Sequence, residues 1–292
     1  MAEVVAVTMY CDPGCPWGYS ATPALTTLMW RYGAQLSWRL VMIGLTEDAS
    51  QYVARGYTPT KSTQGYARFR RYGMPISTDP RPRASATAPA CRAIVATRID
   101  TPEHEYEVFR ALQLGWFTTP LVLDQPAALL TALATVPGVD AAHIVSRLND
   151  DDVTARYEAD RAEARTAADS PTEAQGKSAN SDGAVRYTAP SLVFSLGSRR
   201  LEAGGFQPFA AYDVVLANLS PTLARRAPAE TVTEALAAFP LGISTAEVAA
   251  IMTSGNDLPG LLETELALIA VVADGHARRI STGHDAFWVA AT

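Results

Sequence analysis

Two apolar segments near the start of the sequence predict a pair of neighbouring strands. Residues 3–10 (EVVAVTMY) are almost continuously apolar, which is typical of a strand buried on both faces. Residues 36–43 (LSWRLVMI) have the same character. Between them, Pro16 favours the first position of a helix and Gly33 favours its end, while Pro23 predicts a bend inside it. A strand, a helix and a second strand in this order predict a parallel strand pair.

The alanine-rich region between residues 46 and 169 contains only helical patterns. Its predicted helices cover residues 61–72, 89–99, 102–113, 125–135, 140–148 and 151–168. Because these helices lie between two β-containing regions, they indicate an inserted helical domain. Residues 170–182 are polar and contain glycine and serine, which predicts a mobile loop.

The β pattern returns after this loop. Residues 191–196 and 199–203 predict a hairpin, and residues 208–219 predict a helix that closes this part of the chain. Residues 221–228 are rich in proline, alanine and arginine and predict a linker.

The last part of the sequence predicts three helices and a short β element. The helices cover residues 231–239, 245–252 and 261–273, and the β element covers residues 278–289. This is the layout of a winged helix. The third helix contains Glu263 and Glu265 and neither lysine nor arginine, so phosphate contacts by this helix are disfavoured.

Composition and charge argue against several classes of function. The 292 residues are 48% hydrophobic and 18% charged, which is ordinary for a globular protein. The net charge of −6 offers no electrostatic reason to bind nucleic acid or an anionic membrane. No apolar run approaches the roughly 18 to 20 residues of a membrane span. The first residues carry no basic flank before an apolar stretch, so we expect no signal peptide and a cytoplasmic location.

The cysteines and histidines are sparse. Three cysteines (Cys11, Cys15 and Cys91) are too few for a disulfide framework and indicate a reducing compartment. The four histidines show no metal-ligand spacing, so no metal site is predicted. Cys91 lies among alanines on a predicted helix, which favours a structural role.

Cys15 precedes a predicted helix directly. A thiol at that point faces unpaired backbone N–H groups and the positive end of the helix dipole, so its pKa is expected to fall below the free value of roughly 8.5. A thiolate is the form that attacks disulfides. Pro16 and Trp17 would give the helix a rigid start and an apolar platform. The alternative for Cys15 is a buried, inert cysteine.

The residues around Cys15 resemble those of a known family. Asp-Pro-Gly-Cys-Pro-Trp at residues 12–17, after a first strand, is similar to the DsbA-like thioredoxin proteins, particularly the cytoplasmic bacterial branch with Cys-Pro-Trp-Cys sites. Ala-Pro-Ser-Leu-Val-Phe at residues 189–194 is similar to the strand of that family that carries a cis-proline. Gly-Gly-Phe-Gln-Pro-Phe at residues 204–209 is similar to its closing segment. The resemblance covers about residues 3–219.

This resemblance implies an α/β fold class, a thioredoxin fold with an inserted all-helical domain. The pattern of the last residues adds the winged-helix-like C-terminal domain. The predicted division assigns residues 1–48 and 186–220 to the thioredoxin fold, residues 49–185 to a helical lid, and residues 221–292 to the C-terminal domain. The resemblance also implies that Pro190 is cis and brings the backbone of Ala189 against the active cysteine.

One position departs from the family. Gly18 occupies the place of the second cysteine, which normally resolves a mixed disulfide. A site of this kind attacks a disulfide but has no ordinary route to release itself. The substrate-binding candidates are the residues beside the thiol and the proline loop: Pro16, Trp17, Gly18, Ala189 and Pro190.

Two groups could resolve Cys15, and the sequence leaves both open. Cys11 would pair with Cys15 if a turn brought their Cα atoms to within roughly 4.4 to 6.8 Å of each other. Otherwise an external low-molecular-weight thiol would act. The basic residues 68–72 and 81–83 form either a solvated surface or a site for such an anionic thiol.

Three functions fit these observations. The leading interpretation is a thiol-dependent disulfide oxidoreductase of the reductase or isomerase type, with Cys15 as nucleophile and no tightly bound cofactor. Its partner would be a protein disulfide or a small-thiol conjugate, and a homodimer is left open. The second is a thiol-cofactor isomerase or transferase resembling the kappa-class glutathione transferases, in which a serine usually begins the active helix. The third is a non-catalytic DsbA-like adaptor.

Overall fold

A four-stranded sheet organises the chain. The computed structural model describes residues 3–180, 183–255 and 257–291. The sheet has the order β2-β1-β5-β6. Its strands are β1 (Val5–Cys11), β2 (Leu36–Met42), β5 (Ser191–Leu196) and β6 (Arg199–Ala203). β1 pairs parallel to β2 and antiparallel to β5, and β5 and β6 form a hairpin. The predicted strands and the parallel first pair are confirmed.

The connection between β1 and β2 is a bent helix. It consists of α1 (Pro16–Ser20) and α2 (Thr22–Tyr32), with Ala21 between them. The Ala21 amide donates to the Trp17 carbonyl at 3.0 Å, so the two helices follow each other almost without interruption. Because Pro23 has no N–H to donate, the predicted bend lies at this point. Gly33 ends α2 with a positive φ of 52°.

Helices fill the region between β2 and residue 170. They are α3 (Ser50–Ala54), α4 (Pro59–Ala67), α5 (Ala88–Asp100), α6 (Glu105–Thr118), α7 (Pro126–Leu133), α8 (Ala141–Ser146) and α9 (Asp151–Ala164), with 3₁₀ helices at Arg68–Tyr72 and Pro102–His104. The insertion of helices is confirmed. Helix α3 was not predicted, because its five residues, SQYVA, are too few to show an apolar period.

The segment predicted as a mobile loop contains regular structure. Residues 171–179 include α10 (Pro171–Ala174) and β3 (Ser178–Ala179), and β3 pairs with β4 (Arg186–Tyr187). The side chain of Ser170 accepts a hydrogen bond from the Glu173 amide and caps α10. The loop prediction is therefore wrong for these residues, and its last two residues, 181 and 182, lie outside the described part of the chain.

The described residues after 219 form three helices and a small three-stranded sheet. After α11 (Phe209–Leu219) come α12 (Val232–Ala237), β7 (Ile243–Ser244), α13 (Thr245–Met252), α14 (Leu261–Ala273), β8 (Ala277–Thr282) and β9 (Asp285–Ala290). The sheet order is β7-β9-β8. The predicted helices and the hairpin β8–β9 are present. Strand β7 was not predicted, because its two residues are too few to show an alternating pattern. No helix among the described residues has the length and apolarity needed to cross a membrane.

A buried ion pair fastens this C-terminal part to the rest of the chain. Glu247 on α13 is completely buried and accepts a hydrogen bond of 2.7 Å from the Thr26 hydroxyl of α2. Its carboxylate also lies 2.9 Å from the Arg110 guanidinium of α6. Trp30 of α2 packs in the C-terminal hydrophobic cluster, and its indole N–H donates to the Ala227 carbonyl at 2.8 Å. One carboxylate therefore joins α2, α6 and α13.

We expect Glu247→Gln to lower the free energy of unfolding by about 3–5 kcal/mol, because it leaves the Arg110 charge buried without its partner. Urea unfolding of the full chain measures this loss. The control is Glu158→Gln, which removes a half-exposed partner of Arg161 and should cost less than about 1 kcal/mol. Equal losses in the two variants would show that Glu247 does not join the parts of the chain as described.

Candidate active site around Cys15

Cys15 occupies the position directly before α1. Its amide donates to the Asp12 carbonyl at 3.1 Å, and Pro16 takes the first helical position. The amides of Gly18 and Trp17 favour the thiolate form of Cys15. The predicted location of this thiol, at the point where a helix exposes its first N–H groups, is the one in the structure.

The loop that contains Ala189 and Pro190, directly before β5, lies against the sulfur. The Ala189–Pro190 peptide bond is cis. The Cys15 thiol donates to the Ala189 carbonyl, with 3.1 Å between Sγ and O. Residues separated by 174 positions thus meet at the sulfur, and the candidates Pro16, Trp17, Gly18, Ala189 and Pro190 lie around or beside it.

The Cys15 thiol is buried, and this changes its acidity. Only 7% of the residue is exposed. Burial raises its pKa to about 11, although the Gly18 amide opposes the rise; the Asp12 carboxylate adds to it. The predicted fall of the pKa is wrong, because the pattern of the sequence shows a helix start but not how far the sulfur is removed from water.

Asp12 holds the loop that carries Cys15. This carboxylate is completely buried. One oxygen accepts from the Gly14 amide at 2.8 Å, and the other accepts from the Leu45 amide at 2.8 Å and the Thr87 hydroxyl at 2.9 Å. Burial raises the pKa of Asp12, and the hydrogen bonds oppose that rise. Sequence reasoning missed this role, although an aspartate two residues before a glycine is a known turn signal.

Cys11 does not join the site. It ends β1 and lies completely buried in the main core, whereas Cys15 packs in a separate cluster with Tyr10 and Ala189. Successive side chains of a strand point to opposite faces of the sheet, so the face that carries Tyr10 excludes Cys11. Cys11 and Cys15 are both free thiols. The pairing of Cys11 with Cys15, left open by the sequence, is therefore absent from this structure.

Cys91 is buried as well. It lies in the main core, and its thiol donates to an Asp12 carboxylate oxygen at 3.6 Å. Burial raises the pKa values of Cys91 and Cys11 well above the ordinary range. Both thiols are therefore protonated and shielded at neutral pH, which fits structural roles.

Aromatic side chains surround the exposed side of the thiol loop. Trp17 is 40% exposed, and its ring contacts Phe69 at 4.9 Å, Phe206 at 5.5 Å and Tyr72 at 5.6 Å between centroids. Phe69 and Tyr72 belong to the helical insertion, and Phe206 belongs to the closing segment after β6. Trp17 thus connects the insertion to the thioredoxin-like part while keeping an exposed face.

A cavity of about 410 Å³ lies between the thiol loop and the helical insertion. Gly14, Pro16 and Trp17 line it on one side, while the Cys15 side chain between them turns toward Ala189. The cavity is rich in aromatic rings and in cations, and among the described residues that line it there is no aspartate or glutamate. Its cationic side chains are Arg55, Lys61, Arg81, Arg83 and Arg186.

The cavity differs from the basic cluster expected from the sequence. Arg81 and Arg83 line it, whereas residues 68, 70 and 71 of that cluster do not. The Arg81 guanidinium lies over the Trp116 ring, and its Nε donates to the Leu121 carbonyl at 2.8 Å. Sequence reasoning missed Arg55, Lys61 and Arg186, because only the fold brings these distant residues together. No cluster of His, Cys, Asp or Glu within the described ranges is arranged to hold a metal ion.

Comparison with known proteins gives likenesses in structure. No protein-family model and no curated protein sequence matches the chain. A predicted protein disulfide isomerase from Nitrosomonas europaea matches with a TM-score of 0.57 and 19% identity, over 74% of this chain and 97% of the other. The cytosolic disulfide reductase DsbM from Pseudomonas aeruginosa matches with a TM-score of 0.54 and 16% identity, over 74% and 100%. The same reductase with GSH matches with a TM-score of 0.52 and 17% identity, over 73% and 100%.

The chain has the DsbA-like thioredoxin fold. The regions aligned with these neighbours cover about three-quarters of this chain. This is close to the part, residues 3–219, for which the sequence resembles the family. At identities below 20%, they establish the architecture and leave the activity to the residues of the site.

Gly18 stands where a Cys-Pro-Trp-Cys site has its second cysteine, and the geometry predicts that a cysteine at this position can pair with Cys15. A Cβ placed on Gly18 would lie 3.7 Å from the Cβ of Cys15, which is close to the usual Cβ–Cβ separation in disulfides of about 3.8 Å. We therefore expect Gly18→Cys to form a disulfide with Cys15 under mild oxidation, detected by mass spectrometry of the intact chain and its peptides. The double variant Cys15→Ser/Gly18→Cys is the control and should form no such bond. Failure of the single variant to oxidise would contradict the described geometry.

Proposed function

We propose that this protein is a thiol-disulfide oxidoreductase of the reductase type, in which Cys15 forms a mixed disulfide with the substrate. The observation that carries this proposal is the position of the Cys15 sulfur between the start of α1 and the Ala189–Pro190 loop, beside the cavity between the thiol loop and the helical insertion. The disulfide reductase among its structural neighbours supports the same activity.

The reaction has two thiol–disulfide exchanges. First, the Cys15 thiolate attacks one sulfur of a disulfide R–S–S–R′, so that Cys15–S–S–R forms and R′–S⁻ leaves. Second, the thiolate of an external thiol, R″–S⁻, attacks the R sulfur, which gives R–S–S–R″ and returns Cys15 as a thiolate. The external thiol is oxidised, and R′ is released in its reduced form. The Gly18 and Trp17 amides stabilise the negative charge on Cys15 at both steps.

The low acidity of Cys15 sets it apart from an oxidant of the DsbA type. DsbA is a strong oxidant because its low thiol pKa stabilises the reduced form. Burial raises the pKa of Cys15 to about 11, so its reduced form gains no such stabilisation at neutral pH. Gly18 supplies no second thiol, and Cys11 packs in the main core. The proposed cycle therefore uses an external thiol.

The cavity supports an anionic low-molecular-weight thiol as that co-substrate. Arg55 and Lys61 carry their charges along the cavity wall without a carboxylate on its lining, and a small thiol with carboxylates would balance them. The reductase DsbM, a structural neighbour, has been solved with GSH. We propose Pro16, Trp17, Gly18, Ala189 and Pro190 as the residues that contact the sulfur-bearing part of the substrate, with no tightly bound cofactor.

The same cavity favours a second candidate, a thiol-cofactor isomerase or transferase similar to the kappa-class glutathione transferases. Both candidates bind a small anionic thiol beside α1, and they differ in whether a disulfide is turned over. Cys15 in place of a serine favours the reductase. Binding of the small thiol without disulfide turnover would favour the transferase.

Because Cys11, Cys15 and Cys91 are all free thiols, and because the reductase DsbM is described as cytosolic, we propose a cytoplasmic location. We propose that α12, α13, α14 and the β8–β9 hairpin form a winged-helix-like domain that makes protein contacts rather than nucleic-acid contacts.

The test of the proposed function is reduction of a glutathionylated peptide by GSH, followed by release of the free peptide thiol. We expect Cys15→Ser to lower the protein-catalysed rate by at least about 100-fold, because the attacking sulfur is lost. Cys11→Ala is the matched control and should retain the rate, since Cys11 lies outside the site. An unchanged rate in Cys15→Ser would overturn the proposal and favour a non-catalytic adaptor.

A further inference from the structure

Helix α14 presents an apolar face to solvent. Of its 13 residues, LLETELALIAVVA, only Thr264 and Leu268 are buried. Leu262 is 63% exposed, Leu266 is 58% exposed and Ile269 is 49% exposed. A surface helix of a globular protein normally carries charged and polar side chains on its outer face, and a helix that is apolar all round is normally buried. The outer face of α14 therefore has the composition of an interface.

The spacing of these residues is that of a helix–helix seam. Leu262, Leu266, Ile269 and the exposed Ala273 are four, three and four residues apart. This is the alternation that keeps apolar side chains along one side of two helices that pack lengthwise. The seam residues and the buried residues Thr264 and Leu268 lie on different faces, so α14 can contact a partner without leaving its own domain.

We propose that this face binds the same face of a second copy of the chain, with the two α14 helices antiparallel about a two-fold axis. In that arrangement Leu266 packs against Ile269 of the other copy, and the large Leu262 packs against the small Ala273. A two-fold interface uses one surface patch twice, so a self-complementary seam is sufficient to build it.

Charge supports the antiparallel direction. The beginning of α14 is acidic, with Asp257, Glu263 and Glu265. Beyond its other end, β8 carries Arg278 and Arg279 on opposite faces of the strand. Arg278 lines a cavity with Arg110 and Glu247, and Arg279 shares the face of Trp288, which packs in one cluster with Leu268 of α14. Antiparallel packing keeps the two acidic ends apart, brings each toward the end at which Arg279 balances Asp274, and aligns the helix dipoles favourably. Parallel packing would place the two acidic ends side by side.

Sedimentation velocity of the full chain over a range of concentrations tests this proposal. We expect a reversible dimer in the wild type. In Leu266→Glu and in Ile269→Lys, the dimer dissociation constant should rise by roughly 100-fold or more, because two-fold symmetry buries two unpaired charges. Since both side chains are about half exposed in one copy, far-UV circular dichroism should show that both variants fold. Val214→Glu is the matched control, because Val214 is 58% exposed on α11, and this variant should remain dimeric.

Mixing the two seam variants tests the direction of packing. Antiparallel helices place Glu at position 266 of one copy opposite Lys at position 269 of the other, so an equimolar mixture should recover a heterodimer. A wild type that stays monomeric at every concentration would overturn the proposal, as would a dimer that Leu266→Glu leaves intact. Monomers that instead float with phosphatidylcholine vesicles would assign the face to a membrane and overturn it as well. A dimer with no recovery in the mixture would overturn the antiparallel arrangement.

Discussion

The site depends on the hydrogen bonds that the buried carboxylate of Asp12 accepts. Their donors are the Gly14 amide in the thiol loop, the Leu45 amide after β2 and the Thr87 hydroxyl before α5. Each of these donors would cost about 1–3 kcal/mol if it were left buried and unpaired. One side chain therefore fixes the loop before Cys15 relative to the sheet and the helical insertion. The same negative charge adds to the rise of the Cys15 pKa, whose main cause is burial.

Much of the fold could be predicted from local patterns. The apolar run of β1 and the Pro16 and Gly33 signals predicted the strand–helix–strand unit, because strand burial and helix termini leave marks within a few residues. The family resemblance predicted that Ala189 and Pro190 lie beside Cys15. Burial of the sulfur, the face of the sheet to which Cys11 points and the residues that line the cavity could not be predicted, because each depends on which distant segments pack together.

The C-terminal part is linked to the site through the packing of the chain rather than through a flexible tether. Glu247 contacts α2, the helix that continues from the thiol loop, and Arg110 of α6. The His284 ring accepts a hydrogen bond of 3.0 Å from the Ile76 amide, just after the 3₁₀ helix that carries Phe69 and Tyr72. Contacts made by this part therefore reach the segments that surround Trp17. The outer face of α14 is left free for another molecule.

Burial holds the proposed nucleophile Cys15 protonated, and the pH dependence of its alkylation measures this directly. Iodoacetamide reacts with the thiolate, and peptide mass spectrometry follows each cysteine separately, with Cys11 and Cys91 as unreactive internal controls. Burial raises the pKa of Cys15, so the rate at Cys15 should keep increasing above the free-thiol value of about 8.5. Asp12→Asn removes a negative charge beside the sulfur, so its profile should shift to lower pH. A wild-type rate that reaches its maximum below the free-thiol pH would contradict the raised pKa of Cys15.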